Sequence, residues 1–246
     1  MPNWCYNYLD ISGDETLIAD IKRQLNKPFA KDHDSWNPAT GQMEVSQTTY
    51  SSPVFAFHNI YNHRQDGISD EEYIKQPDHN MPLEEALMFK GNHWYDWNVR
   101  NWGTKWDVAV RDGEEYPDTE LYEESTTVLG YKFNTAWSPP TEAITKLSEQ
   151  YPSLEMNLSY EEETGWGGSI NFNNGIATEE ESYENKCRDC DSLNTLEYCE
   201  NDCGEICNEC HYMGEADLDC VSDCEIHKVY LDKEHLPEHR LDNVRA

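Results

Sequence analysis

Eight of the nine cysteines fall between positions 187 and 224, and they repeat one pattern twice. The first copy is Cys187, Cys190, Cys199 and Cys203; the second is Cys207, Cys210, Cys220 and Cys224. Each is a C-x2-C pair, a spacer of 8 or 9 residues, then a C-x3-C pair. Two complete sets of four thiolates match the tetrahedral coordination of structural zinc. A stretch this short cannot bury enough apolar surface to fold unaided, so a metal is the natural staple. The spacing therefore predicts a small module over 187–227 that binds two zinc ions. An iron–sulfur cluster uses the same ligand type, but the short paired spacings fit zinc better. Two pairings are open. Sequential pairing gives each ion one copy of the repeat, which the tandem duplication favours. Interleaved pairing joins Cys187 and Cys190 with Cys207 and Cys210, as in cross-brace fingers. His211 and His227 adjoin the cluster and are expected outside the ligand set.

The rest of the chain constrains function mainly through charge. Among 246 residues there are 49 acidic and 18 basic side chains, a net charge of −31. Such a field repels phosphates, so duplex DNA and anionic membranes are not the expected partners. It suits a protein partner, a basic host protein among them, or plain solubility. Aromatic residues make up 12% of the chain, which argues against acidic disorder. Met-Pro-Asn-Trp-Cys is not the start of a signal peptide, and no run approaches a membrane span. A reducing cytoplasm is the expected setting, which again favours metal ligation over disulfides.

Periodicity predicts the elements of a first domain. Residues 5–11 alternate as a strand. Asp14 caps a helix carrying Leu17, Ile18, Ile21 and Leu25, stopped by Pro28. Residues 29–53 read as a long polar interval. A short strand is expected at 54–57, short helices over 69–90, and a helix over 92–102 ended by Gly103. Trp106, Val108 and Val110 alternate as the start of a strand. Residues 112–124 read as an acidic turn. Leu129, Tyr131, Phe133, Thr135 and Trp137 share one face of the strongest strand. A helix with Ile144 and Leu147 follows, then strands at 154–160 and 168–172. Without an insertion at 26–103, this order is the split βαβ plan of a ferredoxin-like α+β sandwich over 1–176. An acidic linker at 177–186 and a tail at 228–246 flank the zinc-binding module.

Three separated motifs carry a family resemblance. They are Pro2-Asn3-Trp4-Cys5-Tyr6-Asn7, then Trp94-Tyr95-Asp96-Trp97 with Asn101-Trp102-Gly103-Thr104-Lys105-Trp106-Asp107, then Phe133-Asn134-Thr135-Ala136-Trp137-Ser138-Pro139-Pro140. Together with Tyr160-Glu161-Glu162, Gly165 and Gly168, they resemble the YubB ferredoxin-like family over about residues 1–175. The resemblance implies a ferredoxin-like fold, an origin in a phage or mobile plasmid, and hence a bacterial host cytoplasm. It implies no established activity. The continuation of Phe57-His58-Asn59-Ile60 into Tyr61-Asn62-His63, and the cysteine-rich extension, depart from the family pattern.

Of candidate sites outside the cysteines, the tryptophan motif stands first. Trp97, Trp102, Lys105, Trp106 and Trp137 are candidates for a binding surface; the competing expectation is that these rings pack the core, with Trp106 pointing inward. No P-loop, G-x-G-x-x-G, G-x-S-x-G or H-E-x-x-H is present. Cys5 reads as a small buried hydrophobe and not a nucleophile. His58, His63, His79 and His93 lack ligand spacing and are expected to be exposed. The reading is a non-enzymatic protein-binding module, with inhibition of a host nucleic-acid-binding protein as its specific form. The rivals are stacking of single-stranded nucleic acid on sheet aromatics, and an enzyme with an unrecognised site.

Overall fold

The computed structural model describes residues 2–74, 82, 91–114, 118–185, 193, 196–198 and 205–207. The chain divides into two compact units, residues 1–163 with 168–181, and residues 164–167 with 182–246.

The first unit is built on β1 (Trp4–Ser12). Its inward residues Cys5, Asn7, Leu9 and Ile11 are all buried, as a two-residue period requires. Helix α1 (Glu15–Leu25) follows, and the Asp14 carboxylate accepts from the Thr16 amide at 2.9 Å to cap it. Ile18, Ile21 and Leu25 form its buried face. Strand β4 (Glu120–Glu124) pairs with β5 (Val128–Ala136), helix α4 (Thr141–Gln150) crosses over, and β6 (Glu155–Glu162) returns. Both β5 and β6 run antiparallel to β1, which lies between them. That is a split βαβ unit, and the domain is ferredoxin-like. Strands β7 (Gly167–Asn173) and β8 (Ile176–Tyr183) extend the sheet to the order β4-β5-β1-β6-β7-β8.

Between α1 and β4 lies an insertion longer than the expected 26–103. It opens with a hairpin, β2 (Phe29–Asn37) and β3 (Gln42–Tyr50), in the span read as polar interval. Most of its side chains are exposed or half-exposed, so no burial period marks it. Two short 3-10 turns follow at Phe57–Asn59 and His63–Asp66, the first where a strand was expected. Helices α2 (Asp70–Ile74) and α3 (Trp94–Trp102) come next. Gly103 ends α3 with φ 81°, as its position predicted. The expected helix opening at Pro82 lies outside the described residues, apart from Pro82 itself.

The insertion packs onto the helix-covered side of β5. Phe55 stacks on Phe133 with ring centroids 5.0 Å apart, and Phe57 meets Phe133 edge-on at 5.8 Å. Trp97 and Trp102 complete this core, fully buried and edge-to-face at 5.5 Å. Their indole N–H groups are satisfied: Trp97 donates to Asp66 at 2.7 Å, and Trp102 to the Tyr61 carbonyl at 2.8 Å.

Two expectations about strand ends need correction. Residues 106–110 do not form a strand; β5 pairs with Glu120–Glu124 instead. The segment is held by Thr104, whose hydroxyl donates to the Ala136 carbonyl and accepts from the Ala136 amide, both at 3.1 Å. It is held further by Asp107, which accepts from the amides of Phe57 and His58 at 2.9 Å. These bonds bury Thr104 and turn Trp106 outward, 38% exposed. Trp137 breaks phase as well. Its φ of 68° is left-handed, so the ring leaves the face shared by Leu129, Tyr131, Phe133 and Thr135 and is 43% exposed. The expected acidic linker is likewise mostly strand β8, which is exposed along nearly its whole length.

In the second unit, β9 (Leu196–Tyr198) and β10 (Glu205–Cys207) pair as a short antiparallel ladder.

Candidate functional site

Sheet alternation sends the odd phase of β1 inward and the even phase outward. Helices α1 and α4 and the inserted aromatics cover the inward face. The outward face carries Trp4, Tyr6, Tyr8 and Asp10 from β1, Tyr122 from β4, and Lys132 and Asn134 from β5. Tyr6, Tyr8 and Tyr122 are 42%, 50% and 44% exposed. Tyr8 and Tyr122 meet edge-on at 6.0 Å, and the Tyr122 hydroxyl donates to the Asp10 carboxylate. Burial of the hydroxyl and this bond to an anion both push the Tyr122 phenol well up, so it stays protonated. Lys132 pairs with Glu120 beside them. Further across, the Asn157 amide donates to Asn171 at 2.8 Å, leaving a polar flank of asparagines.

The aromatic row continues past the end of the strands. Trp4 stands 6.1 Å from Trp106. The Lys105 ammonium lies 4.4 Å from the Trp106 centroid, 5.1 Å from Trp137, 5.6 Å from Tyr95 and 5.9 Å from Trp94. Four rings around one cation are mutually fixed by cation–π attraction. Two hollows lie along the row. One of ≈ 310 Å³ is bounded by Tyr6, Tyr8, Glu120 and Lys132; one of ≈ 180 Å³ is bounded by Trp4, Trp106, Arg111 and Thr135. Asp118 and Asn134 line both.

The structure thus splits the predicted tryptophan set. Lys105, Trp106 and Trp137 come together at the surface. Trp97 and Trp102 are core and are not available to a ligand. Tyr6, Tyr8, Tyr122 and Asp10 were missed; the alternation Trp4-x-Tyr6-x-Tyr8, out of phase with Cys5, Asn7 and Leu9, was the signal. The histidines also differ from expectation. His58 and His63 are buried. His58 stacks on Phe29 at 4.2 Å, and burial lowers it to about 3, so it is neutral. His63 stacks on Tyr73 at 3.9 Å and bonds to Asp70 at 2.7 Å. His93 is half-buried, and His79 lies outside the described residues. Cys5 is free and buried, and burial pushes its thiol up to about 12, which removes it as a nucleophile at neutral pH.

The eight clustered cysteines, His211, His227 and the tail lie outside the described residues, except for the backbone of Cys207 in β10. Among the described residues no group of three or more His, Cys, Asp or Glu side chains is placed to hold a metal ion. Nor is any described helix long and apolar enough to cross a membrane.

Fold and surface together define a class: a ferredoxin-like domain with one sheet face packed and the other left as an aromatic groove. Residues 105–200 match the family model described as the ferredoxin-like domain in Api92-like protein. The match holds β4 to β9 and the surface residues Lys105, Trp106, Tyr122 and Trp137, but not β1. The crystal structure of a protein Api92 from Yersinia pseudotuberculosis aligns with a TM-score of 0.39 at 10% identity, covering 74% of this chain and 99% of that one. No curated protein matches. The matched family has no assigned activity. What it shares with the resemblance seen in sequence is the ferredoxin-like fold.

Proposed function

We propose that this protein is a non-enzymatic binding module whose outward sheet face docks an arginine- or lysine-rich segment of another protein. The observation that carries the reading is the row of exposed Tyr6, Tyr8 and Tyr122 beside Asp10, Asp118 and Glu120, on a chain with a net charge of −31. Aromatic faces and carboxylates side by side attract guanidinium and ammonium groups by cation–π and charge complementarity. A basic nucleic-acid-binding surface of a host protein is a partner of this kind, and the YubB resemblance supports a mobile-element setting in a bacterial cytoplasm. We also propose that Cys187, Cys190, Cys199, Cys203, Cys207, Cys210, Cys220 and Cys224 hold two zinc ions that staple the second unit. Eight thiolates in two repeated sets support it.

The test is fluorescence anisotropy with three labelled probes: an arginine-rich peptide, single-stranded oligonucleotides and duplex DNA. The peptide should bind, weaken as salt rises, and lose at least about tenfold in affinity, roughly 1.4 kcal/mol, in Tyr6→Ala/Tyr8→Ala. The melting temperature of that variant should stay near wild type. Binding of single strands in preference to the peptide would establish the stacking alternative, for which the exposed tyrosines are also the right groups.

A further inference from the structure

A third hollow lies on the insertion and shares Trp106 with the end of the aromatic row. It has a volume of ≈ 200 Å³ and is walled by Lys31, His33, Tyr73, Ile74, Trp94 and Trp106. Strand β2 presents Lys31 to it, with the ammonium 5.1 Å from the Tyr73 centroid and 5.5 Å from Trp102. Among the described residues no hydrogen bond or ion pair holds this ammonium. We propose that Lys31 is a reactive amine and that this hollow takes a small aromatic aldehyde, which Lys31 captures as an imine.

The surroundings support both halves of the assignment. A cavity of about 150 Å³ suffices to hold a benzene ring, and Tyr73, Trp94 and Trp106 offer ring faces and edges to pack on it. Burial lowers the Lys31 amine, and the Asp107 carboxylate only partly opposes this. Burial also raises Asp107 itself, against Lys31 and three backbone N–H donors that favour its charged form. Other titratable groups near the amine are Tyr73 against it, His58 and His63 from the insertion, and Asp32, His33 and Asp34 on its own strand. Burial keeps His58 and His63 from charging easily, so neither supplies a strong positive neighbour. A desolvated lysine is a nucleophile where a solvated one is not. The Nζ lone pair adds to the carbonyl carbon, a proton passes from nitrogen to oxygen, and water leaves as C=N forms. Nothing is oxidised or reduced: aldehyde and amine give imine and water.

Benzaldehyde with cyanoborohydride tests this on the full chain, since hydride adds to the imine carbon and fixes the label. Peptide mass spectrometry then reads each lysine. A lowered pKa enlarges the neutral fraction of an amine at neutral pH, so Lys31 should label at least about tenfold faster than Lys132. The preference should vanish in guanidinium chloride. In Lys31→Arg the remaining lysines should label as in wild type. Benzyl alcohol, which has the ring but no carbonyl, should slow labelling of Lys31 alone. Labelling of native Lys31 no faster than Lys132, or a preference that survives denaturant, would overturn the proposal.

Discussion

Replacing Gly103 by alanine separates two contributions that meet at one backbone position. Gly103 ends α3 with φ 81°, and its amide donates to the Val99 carbonyl at 3.1 Å. A side chain in this left-handed region costs about 1–2 kcal/mol. A Cβ here would also overlap the Glu142 carboxylate and come within 3.2 Å of the Pro139 carbonyl oxygen. Glu142 is flexible and can swing away. Pro139 is backbone at the entry to α4 and cannot, so roughly a further 1 kcal/mol is expected for overpacking. The total is about 2–3 kcal/mol, or about 4–12 °C in melting temperature for a domain this size. Gly67 is the control: it has φ 75° and open space where a Cβ would stand, with no neighbour within 4 Å, so Gly67→Ala carries only the conformational part. Thermal unfolding followed by circular dichroism measures both. Equal melting temperatures for the two variants would refute the steric argument, and wild-type values for both would refute the conformational one.

Trp97→Ala and Trp102→Ala should each destabilise by about 3–5 kcal/mol through lost burial and a cavity, while Trp106→Ala stays within about 1 kcal/mol of wild type in the same melts. Trp137→Gly should cost less than Trp97→Ala, because glycine accepts the φ of 68° without the Cβ penalty and so offsets part of the lost contact with Lys105. His58 is held neutral down to about 3 from an ordinary 6.5. Below 6.5 the unfolded chain takes up a proton that the folded chain refuses, so stability should fall as pH drops from 6.5 towards about 3. His58→Phe, which retains a ring against Phe29, should flatten that slope in denaturant titrations at several pH values. Elemental analysis of protein purified without added metal should give two zinc ions per chain, and Cys199→Ser should retain one while the first unit still melts cooperatively.

Much of the scaffold was legible because local chemistry and tertiary need agree there. The Asp14 cap, the inward phase of β1, the Gly103 stop and the alternation of β5 each state one local requirement that the fold then meets. What sequence could not decide was phase and partnership. The β2–β3 hairpin and β8 are stabilised by ladder hydrogen bonds with little burial on either face, so no hydrophobic period announces them. Trp106 and Trp137 read as continuations of strands, yet Thr104, Asp107 and a left-handed residue reverse their direction. Only the three-dimensional pairing of β1 with both β5 and β6 separates a packed face from an open one. That pairing places Trp97 and Trp102 inside and leaves Tyr6 and Tyr8 outside. Aromatic rings of equal hydrophobicity take opposite roles here, because burial belongs to the assembled sheet and not to the residue.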